Sequence, residues 1–293
     1  MDRVLPPDSA LVSRGQDVAR GHPIGLSGAS GNAAHVPHVH LEVCTSACGS
    51  HRDGDLRGTQ DPEALLVGCF DPARSYPTDR LALTWPIDCR PAAAADFATV
   101  NQGFVDRFRA LFPAFARGHV ADLGCGPADI PIRLCRALPG VTVTGVDGSE
   151  AMLEPGRAAV VAAGLASRVR LRCTRLPRIE RPAAGYDAIV SNSLAHHLPD
   201  PAVLWREIAR IGAPGAPVLV ANLHRPESAE RAGEIVGSYS GAEPEVLKRD
   251  FFHSLCAAFT LPEVRAQLAD AGLGGFRAEM ISDRHWAAWG TTR

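Results

Sequence analysis

Two carboxylates and two glycines stand at spacings that suit the recognition of a nucleoside. The stretch VADLGCGPAD runs from apolar residues into Asp122 and then into Gly124 and Gly126, and Asp147 closes the next apolar run, VTVTGVD. A glycine turn that opens a helix leaves backbone N–H groups accessible to a ligand. An acid at the end of the following strand can accept hydrogen bonds from both hydroxyls of a ribose. These residues predict a site for a nucleoside-containing cofactor.

A dinucleotide-binding site is the first alternative, and the glycine pattern departs from it. That fingerprint has a third glycine, or an alanine, three residues after the second glycine. Here the position is Asp129. The fingerprint also has no need of an acid such as Asp122 just before the first glycine.

Apolar segments that alternate between strand and helix patterns must position these residues. A helix with an apolar face is predicted from Asn101, and another helix over 127–138. Pro155 with Gly156 predicts a break or kink in the helix that Ser149 should cap. Strands that alternate with helices indicate a parallel α/β sheet. The predicted strands of that sheet cover 120–123, 141–146, 169–173, 188–191 and 218–223.

Three motifs in order, DLGCG, GVDGSEAML and YDAIVSNSLAHHLPDP, resemble those of the class I S-adenosylmethionine-dependent methyltransferases. The resemblance extends from about Asn101 to Arg293 and is closest to the small-molecule branch similar to the quinone-biosynthesis enzymes. It implies a Rossmann-like sheet of seven strands whose last pair, near 276–281 and 285–289, is antiparallel. It also implies S-adenosyl-L-methionine as cofactor, no metal, and methyl transfer to O, N or C of a small molecule.

The resemblance assigns cofactor contacts at the strand ends. In this family the glycine turn meets the methionine end and ribose edge, Asp147 the ribose hydroxyls, and the following residues the adenine edge. Ala128 replaces the family's third glycine, which is acceptable only with a negative φ. The implied contacts are Asp122, Gly124, Cys125, Gly126, Asp147, Gly148, Ser149, Thr174, Ser191 and Asn192.

Methyl transfer from a sulfonium is an in-line displacement, so the protein mainly aligns donor and acceptor and excludes water. A base is needed only when the acceptor must lose a proton. His196 and His197 follow the fourth strand and His224 follows the fifth. All three remain open as candidates for that base.

An insertion at about 224–259 separates the fifth strand from the last helix. Its two helical stretches, ESAERAGEIV and PEVLKRDFFHSLCAAF, carry aromatic residues at the sheet edge where an acceptor would bind. The insertion is therefore interpreted as a lid over the acceptor, with Tyr239, Phe251, Phe252 and His253 as its contact residues.

Residues 1–70 have the short strands and glycine turns of a small all-β module. The GHPIGLSGASGN and PHVHLEV stretches resemble the C-terminal half of lysostaphin-type zinc endopeptidases, which implies catalytic and zinc-binding roles for His38 and His40. The family's upstream H-x-x-x-D motif is missing, and one ligand is too few for a catalytic zinc. A partial, peptidase-like module without metal is the preferred interpretation, followed by a proline-rich linker over 71–95.

The composition describes an ordinary globular chain. Of its 293 residues, 46% are hydrophobic and 21% charged, and the net charge of −2 gives no reason to expect nucleic acid or a membrane as partner. A cytoplasmic protein is expected, with the oligomeric state open. Two alternatives to a methyltransferase remain: a zinc endopeptidase fused to a methyltransferase-like domain, and a non-catalytic cofactor-binding protein.

Overall fold

The structure, a computed structural model, describes residues 43–44, 59–60, 98–198 and 200–293. Strands β1 (Val43–Cys44) and β2 (Thr59–Gln60) pair in antiparallel fashion and belong to one compact unit. Residues 98–293 belong to a second unit. The rest of the predicted β module, including His38 and His40, and the predicted linker over 71–95 lie outside the described residues.

Seven strands of the second unit form one sheet, and seven α-helices and a short 3-10 turn at Ala195–His197 connect them. The strands are β3 (Arg117–Leu123), β4 (Gly140–Asp147), β5 (Val169–Cys173), β6 (Ala188–Asn192), β7 (Pro217–Leu223), β8 (Arg277–Met280) and β9 (His285–Thr291). The helices are α1 (Ala98–Leu111), α2 (Asp129–Ala137), α3 (Glu150–Ala162), α4 (Ala202–Ile211), α5 (Ala229–Ser240), α6 (Glu245–Ala257) and α7 (Leu261–Asp270).

The strand order is β5-β4-β3-β6-β7-β9-β8, in which β5 through β7 are parallel and β9 is antiparallel to both β7 and β8. The predicted seven-stranded α/β sheet with an antiparallel last pair is confirmed. The chain moves from β3 outward to β5 and then returns to the other side of β3 with β6. This reversal places the end of β3 at the topological switch point of the sheet, where ligands bind in open α/β folds.

Two apolar clusters cover the two faces of the sheet. Val120, Val143 and Val190 point to the face that α1, α2 and α3 cover. Ala121 and Ile189, each one residue away, point to the opposite face with α4 and α7. Successive residues of a strand alternate between faces, so one continuous apolar run supplies both cores.

Helix α1 buries the side chains predicted for its apolar face, including Phe104 and Phe108. Helix α2 is shorter than predicted, since Pro127 precedes it and Pro131 lies in its first turn, where no intrahelical N–H bond is lost. The break predicted at Pro155 is wrong, because α3 continues through that residue, and the alternative of a kink there stays a prediction. A proline removes one hydrogen bond of a helix, and burial of Leu153, Gly156 and Val160 holds α3 against the sheet.

The connection between β5 and β6 contains no helix. Residues 174–187 cross the sheet as turns and irregular backbone. Strand β5 reads Val-Arg-Leu-Arg-Cys, with Arg170 and Arg172 exposed on one face and Val169 and Leu171 packed in the helix-covered core of the other. A parallel strand covered on both faces is normally apolar throughout. The arginines therefore mark a part of the sheet that none of the described helices covers.

Helices α5 and α6 pack on each other around a third apolar cluster. The cluster contains Leu223 at the end of β7, Ile235 of α5 and Leu255 of α6. Helix α6 also contacts the turn at Ala195–His197. The predicted insertion thus lies beside the carboxyl ends of β6 and β7. Among the described helices, none combines the length and apolar character needed to cross a membrane.

Candidate cofactor site

A tight turn after β3 forms the floor of the candidate site. Gly124 and Gly126 have φ values of 76° and 50°, a conformation that glycine adopts without steric cost. The N–H groups of Gly124 and Cys125 donate to the carbonyl of Val146 at 2.8 and 3.0 Å. A Cβ at Gly124 would lie 2.9 Å from the Cβ of Leu194. The backbone here leaves no room for a side chain.

Ala128 also adopts a left-handed conformation, with φ of 67°. The expected negative φ at this position is wrong. The turn keeps the backbone geometry of a glycine even though an alanine occupies the position, at a steric cost of about 1 kcal/mol. Ala128 is fully buried in the apolar cluster with Ile132 and Val160, and this packing offsets part of that cost.

Asp147 connects the turn to the end of β4. Its Oδ2 accepts the N–H of Gly126 at 3.0 Å, and its Oδ1 accepts the N–H of Ser149 at 2.8 Å. Burial raises the pKa of the carboxyl group, and hydrogen bonds from backbone N–H groups oppose that shift. An ionised carboxylate has about four lone-pair positions, so Asp147 keeps acceptor capacity for ligand hydroxyls.

Asp122 is buried, with 1% of its surface exposed, and neither carboxylate oxygen has a hydrogen-bond partner among the described residues. Burial, and to a lesser extent the negative charge of Asp147, raise its pKa to about 8. A buried carboxyl group without partners costs stability. A cationic ligand that supplies donors would relieve that cost, because an opposite charge stabilises the ionised form.

The other residues predicted to contact the cofactor differ in whether their backbone or their side chain is available to it. The N–H of Thr174 donates to the carbonyl of Asp147 at 2.9 Å. Ser149 occupies the first capping position of α3 without a side-chain capping bond, and Arg175 lies close over Gly148. The Cys125 side chain is buried against Gly145, and burial raises the pKa of its thiol. Cys125 therefore offers the ligand its backbone only.

Ser191 and Asn192 lie at the end of β6, beside the glycine turn. The hydroxyl of Ser191 donates to the carbonyl of Leu123 at 2.8 Å and is fully buried, so it fastens β6 to β3. The amide of Asn192 donates to Oδ1 of Asn101 on α1 at 3.3 Å. Asn192 is half-buried, and of the two residues it is the more accessible to a ligand.

Sequence reasoning missed how α1 is attached to the site. Nδ2 of Asn101 donates to Oδ2 of Asp129 at 3.0 Å, and Nε of Arg133 donates to the same oxygen at 2.7 Å. Nη1 of Arg133 reaches Gln102 at 2.9 Å. These contacts join α1 to the first turn of α2. Asn101 and Asp129 are separated by 28 positions, and only the packing of the two helices brings them together.

His196 is 3% exposed and its Nδ1 lies 2.6 Å from Oδ1 of Asn222. The same oxygen accepts the N–H of Leu223 at 2.8 Å. An atom that accepts a backbone N–H must be the amide oxygen, so Nδ1 of His196 is the donor. Burial and the neighbouring His197 ring lower the pKa of His196 well below its ordinary value. His196 is a neutral group that ties the turn after β6 to β7.

The other two histidine candidates lie closer to solvent. The ring of His197 stacks at 4.0 Å from that of His196 and is exposed at its surface, and the protein atoms around it lower its pKa. His224 is half-buried, and burial and Arg225 lower its pKa. Its backbone N–H donates to Arg284 at 2.8 Å. Both rings are neutral near pH 7 and could accept a proton.

The lid residues differ in their surroundings. Phe251 and Phe252 pack partly buried against the third apolar cluster, and His253 on the same helix is half-buried. Tyr239 is 50% exposed and its hydroxyl donates to Asp283 at 2.9 Å. The guanidinium of Arg284 covers its ring. Tyr239 therefore attaches α5 to the turn between β8 and β9.

Within the described ranges, no group of three His, Cys, Asp or Glu side chains is arranged to hold a metal ion. The weak candidates His38 and His40 fall outside those ranges.

Residues 120–215 match a family described as a methyltransferase domain. A 27-O-demethylrifamycin SV methyltransferase of Amycolatopsis mediterranei is 27% identical over 185 residues, covering 63% of this chain and 64% of the relative. A ubiquinone biosynthesis O-methyltransferase of Hahella chejuensis is 30% identical over 122 residues, covering 42% of this chain and 48% of the relative. The chain thus spans less than two thirds of the length of either relative.

Among solved structures, that of a plantazolicin methyltransferase in complex with SAH superimposes with a TM-score of 0.52 at 14% identity. The match covers 70% of this chain and 87% of that one. At this level of identity the likeness shows the fold. The domain of residues 98–293 has the class I methyltransferase fold, with its glycine turn inside the segment that matches the methyltransferase domain family.

Proposed function

We propose that this protein transfers a methyl group from S-adenosyl-L-methionine to a small-molecule acceptor. The observation that carries the proposal is Asp122, a buried carboxyl group at the start of the family match for which the described residues supply no hydrogen-bond partner. Binding of a nucleoside alone gives no reason for a buried carboxyl group at this position. A cofactor that joins a nucleoside to cationic groups gives one, because a cation stabilises the ionised carboxylate.

The residues present fit this cofactor. Leu194 fills the space beside Gly124, whereas beside Gly126 only the terminal methyl of Met152 lies within 4 Å of the place that a Cβ would take, so ligand atoms can approach the backbone at Gly126. Asp147 retains acceptor positions for two hydroxyls after binding two backbone N–H groups. Asn192 lies at the end of β6, on the other side of β3 from Asp147, and it is hydrogen-bonded to Asn101 of α1. Their amide groups can bind a carboxylate or an ammonium group.

When bound, this cofactor supplies a methyl group already activated on a positively charged sulfur. It would offer that methyl carbon to a lone pair of the acceptor, with the neutral sulfide as the leaving group, while Asp122, Asp147 and the glycine turn would hold the cofactor. The protein contributes alignment, exclusion of water and, for a hydroxyl or amine acceptor, removal of a proton. We assign alignment to the turn and α1, and exclusion of water to α5 and α6 beside the ends of β6 and β7.

The histidines divide by role in this proposal. Nδ1 of His196 donates a hydrogen bond to Asn222 inside the fold. We therefore assign His196 the role of a positioning residue. His197 and His224 are neutral and closer to solvent, which suits a group that accepts a proton. Phe251, Phe252 and His253 of α6 are proposed as the acceptor side of the site, and Tyr239 as an attachment of the lid.

Two measurements test the proposal. Isothermal titration with S-adenosyl-L-methionine and with its demethylated product should give saturable binding by the wild-type chain and none by Asp147→Ala. A screen of a metabolite extract with a labelled methyl donor should then yield a labelled small molecule. Cofactor binding without any labelled product would favour a non-catalytic binding protein instead, and absence of both would refute the site.

A further inference from the structure

A polar groove lies on the face of the sheet that the connection 174–187 crosses without a helix. It has a volume of about 270 Å³ and is lined by side chains of β3, β4 and β5 and of that connection. Arg170 and Arg172 of β5 and Arg178 of the connection line it. All three side chains are exposed. Glu180 is the acidic residue among those that line the groove, so three arginines leave it cationic, although the chain as a whole has a net charge of −2.

The floor of the groove is polar where the corresponding surface of the sheet elsewhere is apolar. His119 and Thr144 project from neighbouring strands, with Nε2 of His119 2.8 Å from Oγ1 of Thr144. Tyr186 packs on the His119 ring at 4.8 Å, and its hydroxyl donates to the carbonyl of Glu180 at 3.1 Å. Desolvation lowers the pKa of His119, so the arginines carry the positive charge.

Acidic side chains of the described residues neutralise little of the positive charge of these arginines. Arg172 approaches Glu180 only to 3.7 Å, with both side chains at least half exposed, a geometry that contributes little. Neither Arg170 nor Arg178 forms an ion pair with an acidic side chain of the described residues. Guanidinium groups present forked donors that match the oxygens of carboxylates and phosphates.

We propose that this groove binds a small, multiply charged oxyanion, of the kind that a phosphorylated metabolite or a polycarboxylate presents. Arg170 and Arg178 would supply the forked donors. The groove is separate from the candidate cofactor site, although Val146 and Thr174 line it and also hydrogen-bond to the glycine turn and to Asp147.

The test is isothermal titration of the full chain with pyrophosphate and, separately, with citrate, at constant ionic strength. Saturating S-adenosylhomocysteine is present in one series and absent in the other. We expect saturable binding with a Kd below about 1 mM for at least one of the two anions. Binding of pyrophosphate alone identifies phosphate chemistry, and binding of citrate alone identifies carboxylate chemistry.

The variant Arg170→Ala/Arg178→Ala should weaken this binding by about tenfold or more. The matched control, Arg109→Ala/Arg136→Ala, removes two exposed arginines of α1 and α2 on the other face of the sheet and should change the Kd by less than about twofold. Arg178→Ala alone, in the irregular connection, serves as the second variant if the double variant is unstable.

Three results overturn the proposal: no saturable binding of either anion, an equal loss in the control variant, or displacement of the anion by S-adenosylhomocysteine. The last result would assign the anion to the cofactor site. The proposal does not depend on methyl transfer, because titration with S-adenosylhomocysteine alone tests the cofactor site independently.

Discussion

Oδ2 of Asp147 accepts the backbone N–H of Gly126 at 3.0 Å. This hydrogen bond joins the carboxyl end of β4 to the turn after β3, so the residue expected to bind a ribose also holds the glycine turn in place. Asp147 consequently has a structural role and a proposed ligand role, and its substitution affects both.

We expect Asp147→Ala to lower the free energy of unfolding by about 1–3 kcal/mol, because two backbone N–H groups lose a charged acceptor. The same variant should lose measurable cofactor binding. Urea denaturation gives the first quantity and isothermal titration with S-adenosylhomocysteine gives the second.

Asp147→Asn separates the two roles of this residue, since an amide retains one acceptor oxygen. It should recover only part of the stability, because its NH2 group faces the second backbone N–H, while binding the cofactor at least about tenfold more weakly than the wild type. Wild-type affinity in Asp147→Asn would show that the negative charge of this residue is not used.

Asp122 should release a proton when a cationic cofactor binds. Its pKa of about 8 keeps most of the carboxyl group protonated at pH 7, and a neighbouring cation lowers that pKa. Titration with S-adenosyl-L-methionine in buffers of different ionisation enthalpy measures the proton release. Asp122→Asn should bind without this release, and an equal release in both proteins would exclude Asp122 as its source.

The same carboxyl group sets a pH dependence for stability without ligand. Its folded pKa lies above the ordinary value of 3.8, so the native state binds more protons than the unfolded state between the two values. The contribution of Asp122 to stability should therefore fall as the pH rises from about 4 to about 8, whereas the histidines with lowered pKa contribute in the opposite direction below pH 6.5. Urea denaturation across this range isolates the Asp122 contribution as the difference between wild type and Asp122→Asn, and the variant should become more stable relative to wild type as the pH rises.

Ala128 should tolerate glycine and reject a β-branched residue. Ala128→Gly relieves the left-handed conformation at φ of 67° but removes a buried methyl group, so we expect a change within about 1 kcal/mol. Ala128→Val adds branching at positive φ inside a packed cluster and should cost more than about 2 kcal/mol. Ala137→Val, in the last turn of α2, is the control for added volume.

The bond between His196 and Asn222 predicts a single neutral tautomer with the proton on Nδ1. Nitrogen-15 chemical shifts of the His196 ring measure this directly and should stay constant from pH 6 to about 8, because the pKa is lowered well below its ordinary value. Asn222→Ala should permit both tautomers and cost about 1–3 kcal/mol of stability. A ring that titrates near pH 6.5 in the wild type would contradict the buried, neutral assignment.

The sequence alone determined the alternation of strands and helices, because apolar periodicity and glycine turns are local properties. Asp122, the glycine turn and Asp147 fall at consecutive strand ends for the same reason, and the sheet brings those ends together. Local patterns were less reliable where packing competes with them. The α3 helix passes through Pro155, and Ala128 adopts the geometry of a glycine, because buried contacts outweigh a local cost of one to a few kcal/mol.

Only the tertiary structure decided which side chains have partners. Asp122 has no hydrogen-bond partner in the part of the chain that the structure describes, whereas His196 is hydrogen-bonded to Asn222, a residue that local patterns gave no reason to select. The arginines of β5 form a groove because the segment that follows crosses the sheet without a helix. Such contacts join positions tens of residues apart, and their free energies depend on burial that exists only after the sheet and its helices have assembled.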